Sequence, residues 1–322
     1  MVKVSAIIPT WNRRDLLVSL LENLRLQTQP FAEILVVDNG SSDGSAQAAR
    51  QRGARVIELA SNRGFSFAVN RGIEASLHDW VAVLNNDVLL HPDWLVRLVD
   101  NVGEYWFATG KLLRASDPRK VDGTFDLLSR GATAWRAGHG RQDGPLWTEK
   151  RTIFFAPFTA ALFRKEIFSR VGLLDEEFES YLEDVDFGLR CALGGYHGLY
   201  VPEATGRHLG GATLGEWNEE TVRRLARNQL LLIAKHYPEG WIWQYGWAVL
   251  VAQSLWGAAA FKHGAGLAFL SGKWEALRRF GKVRRSGSKQ IRQVLVSSEE
   301  EIRRLQAETG FDLYWKLYFR LT

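Results

Sequence analysis

The first 115 residues alternate short β-branched apolar runs with segments of helical periodicity, and this alternation restricts the chain to few folds. Strands are predicted at 4–10, 33–40, 54–59 and 79–87, and helices at 15–27, 42–53 and 64–77. Strands and helices that take turns along a chain are typical of a mostly parallel sheet flanked by helices. The sequence therefore predicts an α/β fold.

Polar residues follow the predicted strands, and in open α/β sheets ligands bind at the carboxyl ends of the strands. We therefore expect the functional site at that edge. Neither GxGxxG nor GxxxxGK[ST] occurs in the first βα turn, which argues against classical NAD binding and P-loop ATP hydrolysis. The one cysteine, Cys191, excludes a disulfide-stapled domain and a cysteine-rich zinc site.

Asp38 lies in VVDNGSSDGS, where the second strand ends. A carboxylate there can accept hydrogen bonds from a nucleotide base or a ribose hydroxyl. The alternative is a local turn, and for Ser42 and Asp43 we expect that local role, at the start of the next helix.

The segment NRGFSFAVNRGI (62–73) places Asn62, Arg63 and Gly64 where a helix begins. Backbone amides at a helix N-terminus, together with Arg63, suit a diphosphate or a sugar hydroxyl. The same three residues could equally form a tight turn. Asn70 and Arg71 fall in the middle of the helix, where we expect them to face solvent.

The segment LNNDVLLHPDW (84–94) places Asn85, Asn86 and Asp87 directly after a strand. A hard cation such as Mg²⁺ or Mn²⁺ takes few protein ligands, mainly carboxylate oxygens, and leaves positions for substrate phosphates. An Asn/Asp turn before a helix is the structural alternative.

The segment YLEDVDFGLR (181–190) has three acids in four positions at a predicted helix start. Asp186 and Arg190 are spaced to pair along the helix. Acids in a first turn also complement the helix dipole, but Glu183 and Asp184 are more carboxylate than a cap needs. One of them could act as a general base on a substrate hydroxyl.

Residues 116–150 are rich in Gly, Asp and Arg with weak periodicity, so we predict a long loop there. Such loops in compact domains are often functional. Its Trp135, His139 and Trp147 could close over acceptor sugars by stacking.

Residues 241–261 contain four tryptophans and no charged side chain, and residues 273–292 hold eight Lys and Arg with one acid. Tryptophan beside clustered cations is typical of a helix at the surface of an anionic membrane. We favour such an interfacial or re-entrant helix over a transmembrane helix. A buried hairpin followed by a solvated basic helix is the alternative. Residues 273–322 carry twelve Lys and Arg against six Asp and Glu, whereas residues 1–272 carry 29 and 30. Because the net positive charge is confined to residues 273–322, we expect no nucleic-acid partner.

A family resemblance is carried by five strings in fixed order: SAIIPTWNRRDLL, EILVVDNGSSDGS, NRGFSFAVNRGI, LNNDVLL and YLEDVDFGLR. Over residues 3–235 the chain resembles the inverting family 2 glycosyltransferases of the GT-A fold. The Asn-x-Asp form of the metal motif and HLGGAT (208–213) resemble the rhamnosyltransferase branch. The resemblance implies a Rossmann-like GT-A domain at 1–236 and a helical, membrane-associating region at 237–322.

The resemblance also implies roles for individual residues. Thr10 and Asp38 would line the base and ribose pocket, and Asn62, Arg63 and Gly64 would lie near the ribose and diphosphate. Asn85 and Asn86 would flank the donor. Asp87 would hold the metal, Mg²⁺ or Mn²⁺, with His208 as a second ligand; the usual motif is Asp-x-Asp, and Asn85 departs from it. Asp184 would be the catalytic base, with Glu183 supporting the acceptor.

The implied function is inverting transfer of a sugar, L-rhamnose from dTDP-rhamnose, to a hydroxyl of a cell-envelope glycan or polyprenyl-linked saccharide. The alternatives are a polyprenyl-phosphate glycosyltransferase, a UDP-hexose-dependent transferase of the same fold, and a non-catalytic module on the same scaffold. The sequence is also compatible with a homodimer. The apolar run at the N-terminus is too short for a signal peptide, so we expect a cytoplasmic protein, peripheral on the inner face of the cytoplasmic membrane.

Overall fold

The computed structural model describes residues 2–209 and 217–322. These residues form two compact units: one comprises 2–125 and 138–209, and the other 126–137 and 217–322. The division of the sequence at residue 236 stays a prediction.

The strands and helices of the first unit alternate as predicted. Its strands are β1 (Val4–Thr10), β2 (Glu33–Asp38), β3 (Arg55–Glu58), β4 (Trp80–Leu84), β5 (Val88–Leu90), β6 (Phe107–Arg114), β7 (Val121–Gly123), β10 (Arg151–Ile153), β11 (Ala160–Arg164) and β12 (Gly198–His208). Its helices are α1 (Arg14–Leu24), α2 (Ser45–Gln51), α3 (Phe65–Ala75), α4 (Trp94–Val102), α5 (Glu166–Val171) and α6 (Glu183–Leu193). Strands β8 (Asp126–Leu128) and β9 (Ala134–Arg136) lie in the second unit.

One mixed sheet organises the first unit. Its order is β10-β12-β6-β11-β4-β1-β2-β3, with β5 beside β12 and β7 beside β6. Strands β3, β2, β1 and β4 are parallel, so their carboxyl ends lie along one edge. All seven residues of β1 are buried, as expected for a central strand covered on both faces. The predicted α/β architecture is confirmed.

The prediction of a long loop at 116–150 is wrong. This stretch contains β7, β8 (Asp126–Leu128), β9 (Ala134–Arg136) and a 3₁₀ turn at Pro145–Trp147, and residues 121–129 are all buried. Strands of three residues are too short to show an alternating pattern, so composition suggested a loop where the chain is packed.

The second unit is helical apart from the β8–β9 hairpin. Its helices are α7 (Glu219–His236), α8 (Trp241–Lys262), α9 (Gly266–Val283), α10 (Ile291–Thr309) and α11 (Leu313–Leu321). The hairpin is tied to α10: the Leu128 amide donates to Ser298 Oγ at 2.7 Å, and Arg130 pairs with the buried Glu299 at 2.8 Å. None of the helices within 2–209 and 217–322 is both long and apolar enough to cross a membrane.

Candidate active site

Two predicted donor-site residues, Thr10 and Asn86, contact each other at the carboxyl edge of the sheet. Thr10 ends β1 and is buried, and Asn86 follows β4, the neighbouring parallel strand. The Asn86 amide nitrogen donates to Thr10 Oγ1 at 3.0 Å. On the other side, the amide of Asn39 donates to the Thr10 carbonyl at 2.8 Å. The ends of β1, β2 and β4 are therefore joined by hydrogen bonds.

Asp38 ends β2 and is buried. Its Oδ1 accepts a hydrogen bond from the Ser41 amide at 2.9 Å, which is a local turn. Asp43 acts as a helix-start residue, as predicted, because its Oδ1 accepts from the Ser45 amide at 3.0 Å and its Oδ2 from the Arg14 amide at 2.8 Å. Whether Asp38 also contacts a nucleotide stays a prediction.

Asn39 organises the segment 62–64. Its side-chain nitrogen donates to Asn62 Oδ1 and to the Gly64 carbonyl, each at 3.0 Å, and its Oδ1 accepts from the Arg63 amide at 2.9 Å. Asn62 Oδ1 also accepts from the Gly64 amide at 3.0 Å. Asn62–Gly64 is therefore a tight turn held by amide side chains, the structural alternative that the sequence left open.

At the start of α3 two backbone amides already have protein acceptors, and a contact of the 62–64 segment with a diphosphate stays a prediction. The Ser66 amide donates to the Glu179 carbonyl at 2.9 Å, and the Phe65 amide lies 3.3 Å from Ser180 Oγ. Since a protein loop already satisfies these donors, they are not open to an anion. The Arg63 guanidinium lies over the Phe67 ring, 4.4 Å from its centroid.

The same loop leads into the predicted catalytic helix. Glu179, Tyr181 and Leu182 all have positive φ, at 58°, 72° and 65°. Such conformations in residues other than glycine cost about 1–3 kcal/mol each and persist only where surrounding packing enforces them. Here that packing includes the start of α3. The strained turn leads directly into the first turn of α6, which holds Glu183, buried, and Asp184, partly buried.

Asp184 Oδ1 accepts from the Val185 amide at 2.9 Å. Asp186 pairs with Arg190 at 2.9 Å, as predicted, and Arg190 also donates to the Val171 and Leu173 carbonyls. Asp186 therefore has a structural role in α6, and the catalytic roles of Glu183 and Asp184 stay predictions.

Asp87 and His208, the two predicted metal ligands, lie side by side with Asp122. His208 Nε2 is 3.2 Å from Asp87 Oδ1, and His208 Nδ1 is 2.7 Å from Asp122 Oδ2. Burial alone would lower the pKa of His208, but the two carboxylates outweigh it and raise the pKa to about 9. Asp122, on β7, fixes the imidazole orientation by its contact with Nδ1.

Asp87 has the property expected of a metal-binding carboxylate. Its Oδ1 is buried and accepts no hydrogen bond of good geometry from any described residue, although it faces His208. The His208 imidazole, 3.2 Å away and with a pKa raised to about 9, supplies a positive charge beside this oxygen below that pH, so a divalent cation bound by both groups would have to displace the imidazolium proton. Among the described residues, no three His, Cys, Asp or Glu side chains are placed to hold a metal together. A cation here would therefore rest on two protein groups, consistent with hard cations that keep water and phosphate ligands.

Comparison with known families decides what this chain is. The family model described as Glycosyl transferase family 2 matches residues 5–172, which include the β1, β2 and β4 ends and Asp87. This protein belongs to glycosyl transferase family 2.

Relatives of this family 2 glycosyltransferase support the assignment. The N-acetylglucosaminyl-diphospho-decaprenol L-rhamnosyltransferase of Mycobacterium tuberculosis is 32% identical over 219 residues, covering 58% of this chain and 70% of that protein. The O-antigen biosynthesis protein RfbC of Myxococcus xanthus is 30% identical over 200 residues, 58% of this chain and 16% of RfbC. The undecaprenyl-phosphate 4-deoxy-4-formamido-L-arabinose transferase of Serratia proteamaculans is 36% identical over 118 residues, 34% and 36% of the two chains.

Among solved structures, the mannosyltransferase PcManGT from Pyrobaculum calidifontis, in complex with GDP-Man and Mn²⁺, matches with a TM-score of 0.54 at 18% identity. The match covers 99% of this chain and 86% of that one. Together with the family match, this confirms the predicted GT-A fold with C-terminal helices. The family 2, rhamnosyltransferase-like resemblance is confirmed as well. In the HLGGAT string that carried part of it, residues 210–213 lie outside the described residues.

The expectation that aromatic residues of the 116–150 segment stack on acceptor sugars needs correction for both tryptophans. Trp147 and Trp135 are only 1% and 8% exposed, so their rings are packed in the protein and cannot stack on acceptor sugars. His139 is exposed, but its Nδ1 lies 2.7 Å from the Asp122 carbonyl. The sequence analysis also missed Asn39 and Asp122, which hold the 62–64 turn and His208.

Proposed function

We propose that this glycosyltransferase moves L-rhamnose from dTDP-rhamnose to a hydroxyl of a cell-envelope glycan or a polyprenyl-linked saccharide, with inversion at the anomeric carbon. The donor sugar is suggested by the M. tuberculosis relative, which is named an L-rhamnosyltransferase and aligns with 58% of this chain. The observation that carries the proposal is the buried Asp87 oxygen beside His208, at the strand edge where Asn86 bonds to Thr10.

The donor would lie along that edge. Thr10 and Asp38 end adjacent parallel strands and would contact the base and ribose, with Asn62, Arg63 and Gly64 beyond them. Because Asn39 fixes the 62–64 turn through three hydrogen bonds, this part of the pocket is pre-ordered, which lowers the entropy lost on binding. Asn85 and Asn86 would flank the diphosphate.

Asp87 and His208 would hold a divalent cation, Mg²⁺ or Mn²⁺, with Asp122 orienting the imidazole from behind. When bound, such a cation stabilises negative charge on the departing diphosphate. The PcManGT structure in complex with GDP-Man and Mn²⁺ is in line with this cofactor class.

Asp184 would remove the proton from the acceptor hydroxyl as its oxygen attacks the anomeric carbon from the face opposite the diphosphate. The new glycosidic C–O bond forms as the C–O bond to the diphosphate breaks, so one displacement inverts the configuration. Glu183, buried beside it, would support acceptor binding. The strained 179–182 turn holds both side chains in place without a substrate, as a preorganised site requires.

The test is release of dTDP from dTDP-rhamnose in the presence of lipid-linked or soluble saccharide acceptors, with and without EDTA. Acceptor-dependent release that EDTA abolishes supports the proposal, and release from UDP-hexoses alone would replace the donor assignment. Product analysis by NMR reports the anomeric configuration.

A polyprenyl-phosphate acceptor is the second candidate, because a Serratia relative is named an undecaprenyl-phosphate transferase. A phosphate nucleophile is already deprotonated, so an indispensable base at Asp184 favours the hydroxyl acceptor. Either acceptor would place the enzyme in the cytoplasm, peripheral on the inner face of the cytoplasmic membrane.

A further inference from the structure

Helix α9 carries large apolar side chains on its exposed side. They are Leu267, Leu270, Trp274 and Leu277, with 80, 50, 59 and 58% of their surface exposed. Steps of three and four residues place them on one face of the helix. The opposite face is buried against α7, where a Cβ added to Gly272 would lie 2.1 Å from the Arg223 carbonyl oxygen. The apolar side of α9 therefore has no covering element among the described residues.

Helix α8 has a similar stripe. It consists of Trp243, Trp247, Leu250 and Phe261, which are 93, 62, 58 and 56% exposed. The two stripes meet at the turn between the helices, because a Cβ added to Gly266 would lie 2.3 Å from the Phe261 ring, one residue before Leu267. We call these eight residues the exposed apolar face. Exposed apolar side chains that cluster along two consecutive helices indicate an interaction surface, whereas singly scattered ones are ordinary.

Apart from Glu275, the charged side chains of α8 and α9 are cations, and the exposed Glu239 lies just before α8. Glu275 is the only acid in residues 241–283, and it is paired with Arg223, Arg227 and Arg279. At the end of the stripe, the Arg278 guanidinium lies 5.0 Å from the Trp274 ring centroid. Lys282 follows one turn later and is exposed. An apolar stripe with tryptophan, bordered by cations, matches the boundary between acyl chains and anionic headgroups.

We propose that the exposed apolar face is the docking surface of the protein on an anionic phospholipid bilayer. Helix α9 lies in the membrane plane with Leu270 and Trp274 among the acyl chains and Arg278 and Lys282 at the lipid phosphates. None of the described helices is long and apolar enough to span a bilayer. The inference deepens the proposed function, on which it rests for its lipid-linked acceptor.

The test measures co-sedimentation of the full chain with two kinds of vesicle. One contains phosphatidylcholine with about one third phosphatidylglycerol, which makes its surface anionic, and the other contains phosphatidylcholine alone. The wild type binds the anionic vesicles more tightly. The double variant Leu270→Glu/Trp274→Glu loses at least about tenfold in binding, since each position exchanges apolar burial for a charge. Arg278→Gln/Lys282→Gln loses about thirtyfold on anionic vesicles only.

The matched control is Leu26→Glu, because Leu26 is 66% exposed and lies in the first unit; it binds vesicles like the wild type. Equal binding of all variants, equal binding to both lipids, or no binding by the wild type would overturn the proposal. So would a wild-type dimer that Leu270→Glu/Trp274→Glu converts to a monomer in light scattering, because a second copy would then cover the face.

Nucleotide release with a water-soluble acceptor separates this inference from the proposed function. A double variant that loses vesicle binding but keeps wild-type release supports the docking surface. If the wild type releases no nucleotide yet binds vesicles through these residues, the proposed function fails and the docking surface stands.

Discussion

Asp184 occupies the first turn of α6, directly after the strained 179–182 turn, whose first residue accepts a hydrogen bond from the Ser66 amide. Asp184→Asn keeps the size of the side chain but cannot accept a proton from the acceptor. We expect the transfer rate to fall by about 10²–10⁴, while donor binding, measured by calorimetry, changes little. The rate is measured as acceptor-dependent nucleotide release.

The control for Asp184 is Asp100→Asn, an exposed carboxylate on α4, which should keep the wild-type rate. If Asp184→Asn retains near-normal turnover, another group is the base or the acceptor is already ionised. The second case would favour the polyprenyl-phosphate acceptor.

Asp122 contacts His208 Nδ1 at 2.7 Å and so fixes the ring whose other nitrogen faces Asp87. In Asp122→Asn the amide lacks the negative charge that orients the imidazole. We expect Mn²⁺ affinity in the presence of dTDP to fall about 10- to 100-fold, measured by electron paramagnetic resonance of free Mn²⁺. Asp117→Asn, which removes a loop carboxylate paired with Arg119, should leave the affinity unchanged. An unchanged affinity in Asp122→Asn would contradict the role of His208.

At the scale of elements, α3 and the turn before α6 are packed through Gly64. Gly64 has a φ of +87°, and an added Cβ would lie 3.0 Å from the Glu179 carbonyl oxygen and 3.1 Å from its Cα. Gly64→Ala should therefore displace the 179–182 turn and with it Glu183 and Asp184. We expect a large loss of transfer activity, with a stability loss of about 1–3 kcal/mol from the backbone strain alone, because φ +87° with ψ 167° is essentially restricted to glycine.

Gly53→Ala is the matched control for Gly64→Ala. Gly53 has a similar φ of +75°, but nothing lies within 4 Å of the added Cβ. The Gly53→Ala variant should lose stability in urea denaturation because of its backbone strain, and it should keep its transfer activity. Equal activity loss in both variants would mean that strain, and not the contact with Glu179, is responsible.

Glu33 joins the first two strands. It accepts from Ser5 Oγ at 2.6 Å and from the Leu77 amide at 2.9 Å, and it pairs with Arg55. Burial alone would raise the pKa of Glu33, but these partners outweigh it and hold the pKa below its ordinary 4.5. Because the folded-state pKa is the lower one, the stabilisation is present above about pH 4.5 and is lost as the pH falls through the folded-state value.

Glu33→Gln should therefore lower the free energy of unfolding by about 1–3 kcal/mol at pH 7. The difference from wild type should shrink as the pH falls below 4.5. Urea denaturation at several pH values measures it. Glu58→Gln, in a pair whose side chains are both about half exposed, should change stability by less than about 1 kcal/mol. A pH-independent difference at Glu33 would show that its charge is not involved.

The sequence predicted secondary structure best where one pattern of residues runs through a whole strand or helix. The run 4–10 is a strand in both sequence and structure, and all seven of its residues are buried, as in a central parallel strand covered on both faces. The strand predicted at 79–87 ends at Leu84, because Asn85 to Asp87 turn the chain before β5 begins at Val88. Polar residues after the predicted strands thus marked the carboxyl edge of the sheet, but not the strand boundary.

Contacts between residues far apart in sequence could not be predicted. Asp122 lies in a three-residue strand and contacts His208, 86 positions later, and no local pattern connects them. Asn39 resembles an ordinary turn residue in Asn-Gly, yet its amide holds Asn62 and Gly64. Asn70, expected to face solvent, is buried and bonds to the backbone of Leu174. Each is a polar side chain that satisfies distant backbone or side-chain groups.

At the scale of the molecule, the two units differ in their chemistry. The first contains the buried carboxylates Asp38 and Asp87 at the sheet edge. The second carries most of the excess cations and the exposed apolar face, with twelve Lys and Arg against six acids in residues 273–322. We infer that donor binding and membrane binding depend on different residues, so that each can be removed without the other.

Donor and metal together should stabilise the folded chain because they bind the native state and not the unfolded one. With dTDP-rhamnose and Mn²⁺ at about one hundred times the dissociation constant, the gain is about 2.7 kcal/mol, measured as a rise in Tm. EDTA should remove most of it, as should Asp87→Asn, whose amide cannot replace the carboxylate at the metal. Leu270→Glu/Trp274→Glu should keep the full shift. A shift that survives both EDTA and Asp87→Asn would mean that the donor binds without a cation at Asp87.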